Sequence, residues 1–336
     1  MKAIALLLPE QFFASGVAGL IDAFAIANFQ AAASGSAVLR WRLLSADGLP
    51  VRASSGLEFA ADGCYDQVQP GELLIVPGLI YRTIPSFEHT LQQQAALIAR
   101  LRQWHAAGHV LAGCCTGVAL LAESGVLDQQ PATISWWLAG WFKRRYPAVC
   151  LSPHALVTDS PQLLCSGATT AYLDLALRLI ERLVGPDIAQ ACARVLLLDP
   201  HRVSQAPYTS LPSYSGHNDP MVSDCQRWLH AHLEQPFRLA ALASAVNCSE
   251  RTLMRRFRLA LGDTPLHYLQ KLRLFAARRL LETTALGLGE IAQRVGYSDL
   301  SAFRRLFIRE VECTPASYRR RFGGQAGGAD ACRVLK

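Results

Sequence analysis

Apolar positions divide the chain into two regimes. In the N-terminal part they come as short continuous runs separated by stretches of helical period. Residues 4–8 and 110–113 read as buried strands and 39–44 and 163–165 as further strands; Leu73-Leu74-Ile75-Val76 before Pro77-Gly78 is a strong central-strand signal. Segments 16–33, 90–107, 116–123, 138–146, 168–184 and 188–197 read as helices, the first with Leu20, Ala23, Phe24 and Ala27 on one face. Strands alternating with helices predict an α/β domain, a parallel sheet with helices on both faces. Such sheets bind ligands at the carboxyl ends of their strands, where the strand order reverses.

The second regime states one pattern twice. LAALASAVNCSERTLMRRFRLALGDTPLHY and LGEIAQRVGYSDLSAFRRLFIREVECTPASY superpose on a shift of about fifty residues. Leu253 falls on Phe303, Arg255 on Arg305, Phe257 on Phe307, Thr264-Pro265 on Thr314-Pro315 and Tyr268 on Tyr318. In the first copy Leu239, Leu242 and Val246 are helically spaced, and Asn247-Cys248-Ser249 interrupts them. Ser249 is a good N-cap for a new helix with Leu253, Phe257 and Leu261 as its buried stripe. In the second copy Ile291 and Val295 precede Gly296-Tyr297-Ser298, and Phe303 and Phe307 follow; Gly296 can take the positive φ of a sharp turn. Helix, short turn and helix is a DNA-binding plan whose second helix enters the major groove.

The region between the copies, residues 266–282, has no Pro or Gly. It predicts a helix about 25 Å long, able to hold two reading helices about one duplex turn apart. Residues 221–233 add a helix with Val222, Cys225, Trp228 and Leu229 inward. The C-terminal domain is therefore expected to be all-α, with two helix-turn-helix motifs.

Away from the apolar stripes stand Glu250, Arg251, Met254, Arg255 and Arg258 in one copy, and Ser301, Ala302, Arg304, Arg305 and Arg309 in the other. A basic helix face alone is equally compatible with a solvated surface. Two aligned copies are a stronger signal, because arginine suits bidentate contact with guanine. The charge agrees: residues 221–322 hold 17 Lys and Arg against 9 Asp and Glu, whereas residues 1–220 hold 14 against 16. The polyanion belongs to the C-terminal domain.

Residues 238–322 resemble the DNA-binding domain of AraC/XylS-type transcription regulators. Ala243, Ser249, Leu253, Arg255, Phe257, Gly262, Pro265, Tyr268, Arg273 and Ala277 carry the likeness in the first half. Ile291-Ala292, Val295-Gly296-Tyr297, Phe303, Arg305-Leu306-Phe307, Thr314-Pro315 and Tyr318-Arg319 carry it in the second. The resemblance implies that Arg251, Met254 and Arg255, then Ser301, Arg304 and Arg305, meet bases of double-stranded operator DNA. It also implies RNA polymerase as a partner and activation rather than repression.

One turn in the N-terminal domain carries candidate chemistry. Gly113-Cys114-Cys115-Thr116-Gly117 lies between a strand and a helix, with small residues about a central cysteine, as in a nucleophile elbow. A thiol at a helix N-terminus is expected to have a lowered pKa; a buried structural cysteine is the plainer reading. VLAGCCTGVALLAESGVLDQQPAT resembles the PfpI-type, class I glutamine-amidotransferase-like fold, which is flavodoxin-like. Leu173-Asp174-Leu175-Ala176-Leu177 and Asp199-Pro200-His201-Arg202 extend the likeness across residues 1–208. By that resemblance Cys115 occupies the elbow. A histidine is commonly found where Ser135 stands, and an acid is expected near Gly16, with Glu10 and Asp22 the nearest here.

Serine has no useful basicity, so the expectation is a non-enzymatic sensing domain. Cys115, Thr116, Ser135 and Trp136 are its candidate pocket residues. Trp136, Trp137 and Trp141 form either an aromatic wall for a cationic effector or ordinary core. The alternative is a cysteine-dependent hydrolase or amidotransferase-like enzyme using Cys115, with the DNA-binding domain giving autoregulation. A Cys114–Cys115 redox switch would need a strained ring.

The ten cysteines show no paired zinc spacing, and no cofactor or metal is expected. Scattered cysteines and the lack of a membrane-spanning apolar run point to a cytoplasmic protein. The expected organisation is a sensing and dimerisation domain (1–199), a Pro- and Ser-rich linker (200–220), a DNA-binding domain (221–322) and a disordered tail (323–336). The expected effector is a small metabolite; the resemblance points to an amino acid or quaternary amine. The expected state is a homodimer.

Overall fold

The apolar runs assemble into one sheet. The computed structural model describes residues 2–32, 38–199, 202–209 and 219–323. Residues 200–201 and 210–218 of the expected linker, 324–336 of the expected tail and Ala33 of the first expected helix lie outside these. The chain divides into two units, Met1–Gln205 and Ala206–Lys336.

The strands of the first unit are β1 (Lys2–Leu7), β2 (Leu39–Ser45), β3 (Val51–Arg52), β4 (Glu58–Phe59), β5 (Gly63–Cys64), β6 (Leu73–Val76), β7 (Leu111–Cys114), β8 (Pro131–Ala132), β9 (Cys150–Leu151), β10 (Val157–Asp159) and β11 (Leu163–Ser166). Seven of them form a sheet in the order β10-β11-β7-β6-β1-β2-β5. From β1 the chain builds outward through β2 to one edge, then returns to build through β6, β7 and β11 to the other. The reversal makes the carboxyl ends of β1 and β6 the switch point. All pairings in this sheet are parallel except β10 with β11. The expected parallel sheet is present, with one antiparallel strand, β10, beside β11 at its edge. Only residues 160–162 join these strands, far too few for a crossover helix.

The helices are α1 (Ala14–Ala32), α2 (Ile84–Gln93), α3 (Ala95–Ala106), α4 (Val118–Glu123), α5 (Ala139–Arg145), α6 (Tyr172–Leu183) and α7 (Pro186–Val195). α1, α6 and α7 pack together, as do α2, α3 and α4. Right-handed crossovers in opposite directions from β1 put these groups on opposite faces. The helix expected over 90–107 is two helices meeting at Gln94. Buried Phe87 and Leu91 are four apart, as are Leu97 and Leu101, but Leu91 and Leu97 are six apart. That spacing is out of phase on one continuous helix, and the break restores it. Segments 116–123, 138–146 and 168–184 open with 3₁₀ turns at or next to their starts, Cys115–Gly117, Trp136–Leu138 and Thr169–Ala171.

The second unit contains α8 (Pro220–Ala231), α9 (Leu239–Ala245), α10 (Glu250–Leu261), α11 (Pro265–Thr283), α12 (Leu288–Arg294), α13 (Leu300–Val311) and α14 (Pro315–Phe322). It has two cores. Val222, Leu229, Leu242, Leu253 and Phe257 lie in the first, and Ile291, Val295, Phe303 and Phe307 in the second. α11 contributes Leu269 and Leu272 to one and Leu274 and Ala277 to the other. Ser249 caps α10 by accepting from Thr252 N, and Asp299 caps α13 by accepting from Ser301 N and Ala302 N. Gly296 has φ +82°.

Candidate effector site and nucleic-acid interface

Cys115 leaves β7 with φ +52°, a left-handed conformation in which a non-glycine residue is strained. Close packing imposes it. A Cβ on Gly117 would stand 2.2 Å from Pro77 O, so only glycine lets the elbow lie against the end of β6. Thr116 Oγ1 donates to Leu79 O at 2.7 Å and accepts from Leu79 N at 2.6 Å. Cys115 Sγ lies 2.9 Å from Ser135 Oγ. Cys115, Thr116 and Ser135 are brought together and buried; Trp136, next in the chain, is half-buried.

Burial pushes the Cys115 thiol above its ordinary pKa, and hydrogen bonds with Ser135, Thr116 and Thr169 do not reverse this. The expectation of a lowered pKa is therefore corrected: desolvation outweighs the turn's partial charges. No carboxylate or imidazole is among these partners. His109 precedes β7, at the opposite end from the elbow, with Nδ1 2.9 Å from Glu72 O. Glu10 and Asp22 are exposed. On the α1 face where an acid was expected, Gly19 leaves room for the ring of Tyr172.

The three tryptophans separate. Trp141 is core: it packs on Phe87 and Tyr146, and its Nε1 donates to Glu88 at 2.9 Å. Trp136 and Trp137 meet edge to face at 5.3 Å.

In the second unit Arg251, Arg255, Ser301, Arg304 and Arg305 are exposed, and Met254 is half-buried. Among the described residues, none of these four guanidiniums has a hydrogen bond or ion pair. Their neighbours differ. Arg256 forms a bidentate pair with Asp219 at 2.8 and 2.5 Å, and Arg309 pairs with Glu310 at 2.8 Å. Arg256 superposes on buried Leu306, so at this position the first copy uses an ion pair where the second uses apolar packing.

Comparison with known proteins joins the two halves. Residues 2–182 match the DJ-1/PfpI family, and residues 242–321 match a helix-turn-helix domain. The chain is 31% identical over 317 residues to the HTH-type transcriptional regulator CdhR of Pseudomonas aeruginosa, covering 94% of this chain and 90% of that one. It is 30% identical over 309 residues to the HTH-type transcriptional regulator GbdR of the same organism, covering 91% and 81%. The chain belongs to this family. It is a DNA-binding transcriptional regulator of the AraC type with a DJ-1/PfpI domain at its N-terminal side. A ThiJ/PfpI family protein from Pseudomonas syringae shares the fold of the first unit, with a TM-score of 0.50 at 17% identity over 64% of this chain and 83% of that one.

Gln205, which carries part of the PfpI-type likeness and lies in the segment read as linker, has a structural role that the sequence does not show. Residues 202–205 are held by the first unit: Ser204 bridges Ala155, and Arg202 pairs with Asp174 at 2.8 Å. The Gln205 side chain is 1% exposed. Its Nε2 donates to Ile134 O at 2.8 Å and Pro153 O at 2.9 Å, and its Oε1 accepts from Ala168 N at 3.1 Å. The segment after β8 that presents Ser135 to Cys115 is thus held by the last residue of the unit. A lone glutamine in a polar stretch gives no sign of this. Tyr81 and Thr169 were passed over, and only the fold brings them to the elbow.

Proposed function

We propose that this regulator is a cytoplasmic homodimer whose first unit binds a small metabolite without transforming it. Residues 1–199 would form the sensing and dimerisation domain, 200–220 the connection and 221–322 the DNA-binding domain. The observation that carries this reading is the elbow: a buried, protonated Cys115 beside the Ser135 hydroxyl, with no carboxylate or imidazole among its partners. A thiol without a base is a poor nucleophile but a good pocket wall. Ser135 and Thr116 offer hydroxyls, and the faces of Trp136, Trp137 and Tyr81 suit a cationic or zwitterionic effector. We place an amino acid or a quaternary amine there. Arg251, Met254, Arg255, Ser301, Arg304 and Arg305 contact the operator. Effector binding shifts the population of dimers able to hold two DNA-binding domains on a promoter, and activation follows through contact with RNA polymerase.

The test is a thermal-shift screen of the full chain against amino acids, betaines and small amines. A ligand at about 100 times its Kd adds roughly 2.7 kcal/mol of stability. The reading predicts a hit that Cys115→Trp abolishes. No hit across such a library, with turnover of an amide or ester lost in Cys115→Ala, would establish the enzyme instead.

A further inference from the structure

The two helix-turn-helix halves have separate cores, and α11 is the element common to both. A single helix passing between two cores leaves their relative angle weakly determined unless side chains brace it. One brace has no counterpart in the repeat. In the first turn of α11, His267 Nδ1 lies 2.7 Å from Asp263 Oδ1 and its Nε2 lies 3.8 Å from Glu310 Oε2. Asp263 follows the end of the first reading helix; Glu310 is in the last turn of the second. One imidazole therefore ties the C-terminal ends of both reading helices to α11. A shift of fifty puts Cys313 opposite Asp263 and Ser317 opposite His267. The helix-turn-helix fold therefore does not itself require this cluster.

We infer that His267 is a positioning residue that fixes the separation and angle of the two reading helices, and so sets the half-site spacing this regulator accepts on DNA.

Only the imidazolium can donate from both nitrogens at once. The groups facing it are Asp263 from the turn after α10, Lys271 from α11, and Glu310 with Arg309 from α13. Asp263 and Glu310 hold it protonated, with a pKa pushed up to about 9. Lys271 Nζ meets the other Asp263 oxygen at 2.8 Å, and Arg309 Nε meets Glu310 at 2.8 Å. Three cations thus offset two carboxylates, so the brace does not repel the phosphates its helices approach.

The inference rests on α10 and α13 being the reading helices. Unchanged binding in both Arg255→Ala and Arg305→Ala would sink that assignment, whereas the spacing measurement tests the brace. The operator is first selected from random duplexes with the full chain. Affinities are then compared on that operator and on versions with one base pair added or removed between half-sites. His267→Gln is expected to lose about tenfold at the selected spacing and little at the altered ones, flattening the preference. His267→Arg, which keeps a cation, is expected to restore part of it. Equal loss at every spacing, or an unchanged preference, overturns the inference. Should His267→Gln fail to fold, Glu310→Gln leaves the Asp263 contact in place, and the same flattening is required of it.

Discussion

The guanidinium of Arg273 lies 5.2 Å from the centre of the Tyr297 ring while donating to Leu233 O at 2.8 Å and Gln235 O at 2.6 Å. This buried cation from α11 joins the segment between α8 and α9, just ahead of the first helix-turn-helix, to the turn of the second. Gly296 makes room: a Cβ there would stand 2.7 Å from Arg273 Nη2 and 2.8 Å from Glu234 O. Arg273→Met keeps much of the volume but strips two buried carbonyls and the ring of their partner. It should cost about 2–4 kcal/mol in chemical denaturation of the full chain.

Gln205 should matter to the first unit far more than its place in a polar segment implies. Gln205→Leu leaves Ile134 O, Pro153 O and Ala168 N without this partner, at a cost of about 2–3 kcal/mol. Differential scanning calorimetry should show the melting transition of the first unit moving down. A transition that stays in place would mean the amide is dispensable.

Cys115 should be slow to alkylate. Burial and a pKa above the ordinary 9.0 both deplete the thiolate, so iodoacetamide labelling of Cys115 should be negligible near neutral pH and rise only under clearly alkaline conditions. Mass-spectrometric rates for Cys115 against exposed Cys150 provide the comparison.

The His267 network also makes stability depend on pH. The hydrogen bond with Asp263 and then the Glu310 carboxylate raise His267 from 6.5 to about 9. Its contribution is fully present below about pH 6.5 and is lost as pH rises through about 9. Burial alone would raise Asp263, but His267 and Lys271 outweigh it and hold it at about 2. Glu310 is held at about 2, chiefly by His267. The carboxylates' contributions are present above their ordinary 3.8 and 4.5 and are lost as pH falls through about 2. The stability gap between the wild type and His267→Gln, followed by urea denaturation, should therefore be widest between roughly pH 5 and 6.5 and close on the alkaline side.

These features differ in how legible the sequence made them. The repeat was plain because Leu253 with Phe303, and Phe257 with Phe307, keep one shift, and their helices bury those residues. Four of the five central strands, β1, β6, β7 and β11, were plain because each is an apolar run, whereas β2 alternates with Arg40 and Arg42. β3, β4, β5, β8 and β9 have two residues each, too few to show a period. The break at Gln94 lacks Pro or Gly and shows only in the phase of the buried positions. The elbow cysteine was legible as a turn, but its burial was not, since desolvation depends on loops distant in the chain. Trp141 and Trp136 differ only in what the fold sets against them.

The most direct test of the account is operator affinity for the wild type, Arg255→Ala, Arg305→Ala and the double variant, measured at one fixed salt concentration on the selected site. These guanidiniums are exposed, one on each reading helix, and among the described residues neither has a hydrogen bond or ion pair. Each single change should cost about 1–3 kcal/mol and relax the sequence preference in its own half-site, and the two losses should roughly add. Wild-type affinity and preference in the double variant would contradict the account.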